Sequence, residues 1–173
     1  NGRTNHYLFD LNRDWLPITQ PETKGRIASI NKYHPIVVVD LHEMRGDKSY
    51  YFAPSAQPVT PNLSQAQKDN IDTIGRNNAK HFDKNGIDYF TREIFDSFYP
   101  GYGVSWPTFT GAATSTYEVA SASGEKFKRL NGTTFTYEDT VFKHFIASLS
   151  TAESVADNRQ KYLKDYYQYQ IDA

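Results

Sequence analysis

The sequence contains no cysteine in 173 residues, so disulfide bonds and thiolate metal ligands are excluded, while the cellular compartment stays open. It also lacks an apolar run long enough to cross a membrane. Its charges nearly cancel, with 19 Lys and Arg against 20 Asp and Glu, which gives no reason to expect binding to nucleic acid or to an anionic membrane. A metal site in this chain would therefore use histidine and carboxylate ligands.

The composition is that of a folded chain, with 38% hydrophobic and 23% charged residues. We predict a single domain over residues 1–173, because this length is sufficient for one hydrophobic core. Aromatic residues reach 15% and include 13 tyrosines, many of which we expect along clefts where their hydroxyl groups find partners. The chain begins at Asn1 rather than at Met, and we expect it to be part of a longer protein.

Hydrophobic patterning predicts an α/β fold. Residues 36–39 are all β-branched and predict a strand that is buried on both faces. Residues 6–11 predict an earlier strand, and Pro21 predicts the first turn of a helix that ends near Tyr33, with Thr19 as its N-cap. Strand, helix and strand would form a βαβ unit with a right-handed crossover.

The rest of the chain predicts two longer helices and a second strand. The first helix begins at Asn62 or Ser64 and ends near Asn85, and a helical turn is predicted at residues 92–98. Residues 115–121 predict a strand, and a further helix begins at Tyr137. The core-facing residues of that last helix are predicted to be Val141, Phe142, Phe145, Ile146 and Leu149.

The strand at residues 36–39 is followed by a polar cluster. Asp40, His42 and Glu43 lie at its C-terminal end, which is where open α/β sheets bind their ligands. This position indicates that the strand holds a functional site. The alternative is that His42 caps the strand and bonds to a nearby backbone carbonyl.

Two further side chains stand out for their chemistry. Glu118 lies in a predicted strand between the apolar residues Tyr117 and Val119. If it is buried in a site, its carboxylate could act as a general base. The alternative is that Glu118 lies on the solvated face of an edge strand. Arg13 suits bidentate binding of a carboxylate. Its alternative is an ordinary surface ion pair with Asp10 or Asp14.

In this order, the motifs resemble those of the zinc carboxypeptidases of the carboxypeptidase A type. The matching residues are Asp10-Leu-Asn-Arg13 with Trp15, Val39-Asp-Leu-His-Glu43, a Gly-rich aromatic loop at residues 99–107, and Thr116-Tyr-Glu118. The Asp-Leu-His-Glu-Met form points to a bacterial branch. The resemblance covers essentially the whole chain but only the C-terminal part of the family's catalytic domain. It implies a mixed, mostly parallel sheet flanked by helices, in an incomplete domain.

The resemblance also implies which residues serve the metal and the reaction. His42 would be the third zinc ligand, and Glu118 would be the general base that activates the zinc-bound water. Asp10 would accept a hydrogen bond from a zinc-binding histidine and orient it. The family's other two ligands lie on an upstream His-x-x-Glu motif, and this sequence contains none. We interpret the chain as a fragment, the alternative being a protein that has lost its metal.

The remaining implied roles concern the substrate. Asn12 and Arg13 would bind the terminal carboxylate of a peptide, and Tyr102 would close over it, with Tyr99 as the competing tyrosine. The expected function is zinc-dependent hydrolysis of C-terminal peptide bonds by an extracytoplasmic protein, periplasmic or secreted, that holds one zinc ion when intact. The alternatives are an acyl-amino-acid deacylase on the same scaffold and a metal-free module that binds carboxylates.

We predict that the isolated chain binds zinc weakly and hydrolyses nothing. The reason is that His42 is the single credible ligand in the sequence, whereas catalytic zinc typically takes three protein ligands. Equilibrium dialysis against zinc measures the affinity and the stoichiometry. Tight binding of one zinc ion per chain would show that the ligand assignment is wrong.

Overall fold

A computed structural model describes residues 3–173 of the chain. Its helices are α1 (Pro21–Tyr33), α2 (Gln65–Lys84), α3 (Tyr137–Asp157) and α4 (Arg159–Asp172), with short 3-10 turns at Leu11–Arg13 and Trp106–Thr110. Its strands are β1 (Val37–Met44), β2 (Tyr50–Tyr51), β3 (Ala56–Val59), β4 (Tyr89–Phe90), β5 (Asp96–Ser97), β6 (Ala113–Ala120), β7 (Lys126–Lys128) and β8 (Thr134–Thr136). Among these residues, no helix is both long and apolar enough to cross a membrane.

The main sheet is mixed and has four strands in the order β1-β6-β2-β4. β1 pairs with β6 in parallel, and β2 pairs with β4 in parallel, whereas β2 runs antiparallel to β6. Two small two-stranded sheets, β3 with β5 and β7 with β8, lie outside it. The predicted α/β class with a mixed, mostly parallel sheet and flanking helices is therefore confirmed.

Strong local signals place α1 and α2. Pro21 occupies the first turn of α1, as predicted, and His34 ends the helix in a left-handed conformation. Ser64 caps α2 through a reciprocal capping box with Gln67, which satisfies two backbone N–H groups that would otherwise lack partners. The apolar side of α2 packs into the core, where Ile74 and Phe82 are fully buried.

The core is unusually aromatic. Tyr50, Phe52, Phe82 and Tyr117 are fully buried and belong to one cluster beneath the helices. The Tyr117 hydroxyl accepts a hydrogen bond from Asn78 at 2.8 Å on α2, so the buried phenol keeps a polar partner. This cluster fixes β6 and β2 as the interior strands of the sheet.

The prediction that the strand at residues 36–39 is buried on both faces is wrong. β1 lies at the edge of the four-stranded sheet, and its residues are only partly buried. The strand that is covered on both faces is β6, in which every residue except Thr116 is buried. A run of β-branched residues indicates a strand that can be covered, but it does not show whether the described chain supplies the cover.

The predicted core stripe of the helix that begins at Tyr137 is also wrong, apart from Ile146. That residue is buried, but the other four members are 47–59% exposed; they are Val141, Phe142, Phe145 and Leu149. Apart from Ile146, the buried residues of α3 are small or polar, namely Thr140, Ala147, Ser150, Thr151 and Ser154. Where α3 packs against α2, hydrogen bonds satisfy the polar groups. For example, Asn77 Nδ2 of α2 donates to the Ser150 carbonyl of α3 at 2.8 Å. The helix therefore turns its apolar side to solvent.

Two shorter elements also differ from their predictions. Residues 6–11 form turns held by an isolated bridge between Thr4 and Asp10, so the predicted first strand and its βαβ unit are absent from the described chain. The Asn5 side chain stabilises a tight turn here, because its Oδ1 accepts hydrogen bonds from the backbone N–H groups of Tyr7 and Phe9. Residues 92–98 are not helical: residues 92–94 form bends in which Arg92 and Ile94 have positive φ, and Asp96–Ser97 form β5, which pairs with β3.

Candidate active site

The site is built on the parallel register between β1 and β6. In that register His42 lies beside Glu118, and Asp40 lies beside Thr116. Neighbouring strands lie about 4.8 Å apart, and residues at every second position share a face of the sheet. The pairing therefore places an imidazole, two carboxylates and a hydroxyl on one face.

His42 is held by a carboxylate from its own strand. Its Nε2 lies 2.7 Å from Asp40 Oδ2, and Asn12 Nδ2 approaches the same nitrogen at 3.4 Å. The hydrogen bond to Asp40 raises the pKa of His42 above its usual value, although burial opposes this effect. The alternative in which His42 bonds only to a backbone carbonyl does not describe this arrangement. Asp40 fixes the ring orientation and the tautomer.

Glu118 is buried in an interior strand, with 8% of its surface exposed. Burial raises its pKa to about 7, and the nearby carboxylate of Asp40 adds to the increase while His42 opposes it. A carboxyl group with a pKa near neutrality changes its protonation readily at neutral pH. The alternative of a solvated residue on an edge strand is therefore wrong for Glu118.

The segment that carries Arg13 is anchored by its neighbours. Asp14 is buried and accepts hydrogen bonds from Thr19 Oγ1 at 2.6 Å and from the Gln20 N–H at 2.9 Å. Burial raises the pKa of Asp14, but these hydrogen bonds prevail and lower it to about 2. The Trp15 N–H donates to the Gly101 carbonyl at 3.2 Å. This anchoring positions Arg13 beside the loop before Glu118.

Arg13 itself stays available for a ligand. Within residues 3–173 it forms no ion pair with Asp10, which pairs with Arg3, or with Asp14. Its guanidinium lies 4.6 Å from the centre of the Tyr102 ring, and one of its N–H groups donates to the Asn12 carbonyl at 2.8 Å. The exposed, stacked guanidinium can still offer its remaining N–H groups to a carboxylate.

The Gly-rich loop brings Tyr102 against this segment. The Gly103 N–H donates to Asn12 Oδ1 at 2.7 Å. A Cβ atom at Gly103 would lie 2.7 Å from Asp40 Oδ2, so only glycine lets the loop approach the carboxylate that holds His42. The competing Tyr99 stacks edge-on against Tyr102 and donates its hydroxyl to the Arg13 carbonyl at 3.3 Å. Tyr99 thus supports the loop from outside.

These side chains surround one cavity of about 210 Å³. It is lined by Asn12, Arg13, His42, Tyr102 and Glu118, which are five of the six residues predicted for the site. Ile94, Phe95, Asp96, Val104 and Thr116 complete the lining, together with Arg3. The structure therefore brings together the residues predicted to serve catalysis and substrate binding.

The sixth predicted residue, Asp10, lies beside the cavity. Its carboxylate accepts hydrogen bonds from Arg3 Nε at 3.0 Å and from the Asn12 N–H at 2.9 Å, and it does not contact His42. Its role in orienting a zinc-binding histidine stays a prediction. Asp40 holds His42 instead, a role that was not predicted for it from the sequence. The signal was the Asp-x-His spacing, which puts both side chains on one face of a strand.

His42 fits a zinc site as one ligand. Because its Nε2 donates to Asp40, the neutral ring keeps its lone pair on Nδ1. Within residues 3–173, however, no group of three or more His, Asp or Glu side chains is arranged to hold a metal ion. The described residues thus supply one ligand with its orienting carboxylate, and further ligands would have to come from elsewhere.

The arrangement of strands and helices is that of a metallo-carboxypeptidase fold. The metallo-carboxypeptidase from Burkholderia cenocepacia is 14% identical with a TM-score of 0.67, and the match covers 90% of this chain and 40% of that one. The metallo-carboxypeptidase from Pseudomonas aeruginosa, in complex with (2-guanidinoethylmercapto)succinic acid, is 12% identical with a TM-score of 0.68, covering 92% and 42%. No protein-family model and no curated protein matches the sequence. The chain spans about two fifths of these structures, which confirms an incomplete fold.

We predict that the metal-free chain loses stability as the pH rises, because the folded-state pKa values of Glu118 and His42 are both raised. A group whose pKa is raised by folding stabilises the fold at pH values below its unfolded-state pKa. This contribution is lost as the pH rises through its folded-state pKa. For Glu118 that window runs from 4.5 to about 7. Glu118→Gln should therefore increase the free energy of unfolding by roughly 1–3 kcal/mol at about pH 8, with little change near pH 4.

Urea denaturation at the two pH values measures this difference. The matched control is Glu93→Gln, because Glu93 is exposed and lies outside the cavity lining. The control should change stability equally little at both pH values. A stabilisation by Glu118→Gln that is the same at both pH values would contradict the assigned pKa shift.

Proposed function

We propose that this chain is the C-terminal part of the catalytic domain of a zinc-dependent metallocarboxypeptidase, which hydrolyses C-terminal peptide bonds. One observation carries the proposal. Glu118 and His42 are register partners on one face of the sheet, and both line a cavity that Arg13 also lines. A base, a metal ligand and a carboxylate receptor are the groups that such a reaction needs. The carboxypeptidase-type fold supports the same conclusion.

Arg13 receives the substrate. Its guanidinium binds the free terminal carboxylate, and Asn12 offers a side-chain amide that lines the same cavity. Stacking on the Tyr102 ring limits the guanidinium to one plane, so the carboxylate is bound in a defined direction. Tyr102 then covers the bound residue. A peptide with a blocked C-terminus lacks the charge that this receptor recognises.

Glu118 performs the proton transfers. Its ionised form accepts a proton from the attacking water, and its protonated form returns that proton to the departing amine. The rigid strand holds the carboxylate in place for both steps. Zinc bound by His42 and by two ligands from the rest of the protein would lower the pKa of water and polarise the scissile carbonyl. A periplasmic or secreted bacterial location remains part of the proposal.

We predict that Arg13→Lys in the intact enzyme weakens transition-state binding of a free-acid peptide by roughly 1.5–3 kcal/mol, because lysine keeps the charge but loses the planar fork. The value of kcat/KM for a peptide and for its C-terminal amide measures this loss. The amide should be a poor substrate for both enzymes. Equal cleavage of acid and amide by the wild type would overturn the exopeptidase proposal and favour another hydrolase on this scaffold.

We predict that Glu118→Gln in the intact enzyme lowers kcat by at least ~10²-fold, the lower range for a positioned acid–base group. The substitution preserves shape and removes the proton acceptor. Zinc content and the circular dichroism spectrum should stay unchanged, because Glu118 is not assigned as a ligand. Loss of the metal would instead make Glu118 a ligand, and an unchanged kcat would remove it from the mechanism.

A further inference from the structure

One carboxylate that lines the cavity has no role in the proposed reaction. Apart from its histidine, the charged side chains of the lining are Arg3, Arg13, Asp96 and Glu118. Arg13 is assigned to the terminal carboxylate of the substrate and Glu118 to proton transfer, while Arg3 pairs with Asp10 at 3.0 Å. None of the ion pairs within residues 3–173 involves Asp96. Its negative charge is therefore available to a ligand in the cavity.

The backbone on both sides of Asp96 is anchored in the fold. The Phe95 carbonyl accepts a hydrogen bond from the Tyr51 hydroxyl at 3.3 Å, and the two rings pack with their centres 4.8 Å apart. On the other side, the carbonyl of the buried residue Ser97 accepts a hydrogen bond from the Ser105 hydroxyl at 3.2 Å. Asp96 thus lies between two fixed residues, which gives its carboxylate a defined place in the cavity.

The Asp96 carboxylate keeps one oxygen for a ligand. Its Oδ1 accepts the Phe98 N–H at 2.9 Å, whereas its Oδ2 accepts no hydrogen bond from residues 3–173. Burial, together with the nearby carboxylates of Glu118 and Asp96, raises the pKa of Tyr51 to about 12, against a hydrogen bond with Ser55. Both carboxylates therefore lie near the same buried phenol. An acceptor oxygen without a partner, in a cavity beside the reacting groups, is suited to bind a cation.

The uncharged part of the lining is largely apolar. Ile94, Phe95 and Val104 contribute to it, and Val104 is buried. A lysine or arginine side chain buries its methylene groups on such a surface while its charged head reaches a polar partner. The cavity of about 210 Å³ is smaller than the roughly 300–1,000 Å³ of pockets that hold whole small-molecule ligands. It is therefore suited to one side chain of a bound peptide.

We propose that Asp96 is a specificity-determining residue that makes the cavity select peptides with a C-terminal lysine or arginine. The inference rests on the proposed function and deepens it by naming the substrate class. The terminal carboxylate binds Arg13 and the side-chain cation of the same residue binds Asp96, so two charges of the substrate meet two complementary charges of the cavity. Arg3 is the side chain that would favour an acidic residue instead, but it already pairs with Asp10.

Substrates that differ only in charge test this role. Citrulline has the shape of arginine but a neutral head, so two peptides that end in arginine and in citrulline isolate the effect of the charge. In the intact enzyme we expect kcat/KM to be at least ~10-fold higher for the arginine peptide, because hydrogen bonds between charged groups are stronger than neutral ones. Asp96→Asn should remove most of this preference. Equal values in the wild type, or a higher value for a peptide that ends in glutamate, would overturn the proposal.

Two further variants separate the charge of Asp96 from its place in the fold. Asparagine keeps an acceptor for the Phe98 N–H, and Asp96→Glu keeps the charge, so the glutamate variant should retain part of the arginine preference that Asp96→Asn loses. The matched control is Asp88→Asn, because Asp88 is exposed and lies outside the cavity lining. The control should leave the ratio of the two kcat/KM values unchanged. Equal loss of the preference in Asp96→Glu and Asp96→Asn, or in the control, would overturn the proposal.

Binding without turnover separates this inference from the proposed function. Isothermal titration calorimetry of the intact protein compares N-acetylarginine with N-acetylcitrulline, in which the acetyl group removes the α-ammonium as a competing cation. We expect N-acetylarginine to bind at least ~10-fold more tightly, and Asp96→Asn to remove the difference. This result in a protein that cleaves no peptide would keep the role of Asp96 and reject the carboxypeptidase. Cleavage without any charge preference would do the reverse, and equal binding of the two ligands would overturn the proposal.

Discussion

The parallel register between β1 and β6 is the constraint on which the site depends. It sets His42 beside Glu118 without any loop, so the separation of the two groups is that of neighbouring strands. A slip of one residue would bring Tyr117 or Val119 beside His42 and would turn the carboxylate to the helix-bearing face. Tyr117 opposes such a slip, because its hydroxyl is bonded to both α2 and α3 in the buried core.

Helices whose ends are set by their own local residues could be predicted from the sequence. α2 has a capping box at Ser64, and α1 has proline in its first turn, so both helices lie where local chemistry places them. β1 and α3 begin within one residue of their predicted starts, but β1 continues to Met44 and the burial predicted for both elements was wrong. Periodicity shows which side of an element is apolar, and only the neighbouring polypeptide decides whether that side is covered. For the outer side of α3, the described chain supplies no such cover.

The candidate site was predictable to the extent that its residues sit in short motifs. Asn12 with Arg13, His42, and Glu118 each follow from a local match, and the fold brings them to one cavity. Asp40 was missed as the partner of His42, although their spacing on a strand was visible. Asp96 and Phe95 enter the lining through long-range packing of an extended segment, which no local pattern indicates.

The charges around the cavity explain why these residues form a directional site. Asp40 and Glu118 place carboxyl groups near one imidazole, whereas Arg13 and Tyr102 offer a cation and an aromatic face to the same cavity. If the proposed function holds, an anionic chain end would be attracted by Arg13 and repelled by ionised Glu118, so it would bind with its carboxylate away from the base. That orientation would leave the adjacent peptide bond on the side of His42 and Glu118. Burying Glu118 destabilises the fold at high pH. The same buried carboxyl group makes one side of the cavity negative, opposite the positive side formed by Arg13.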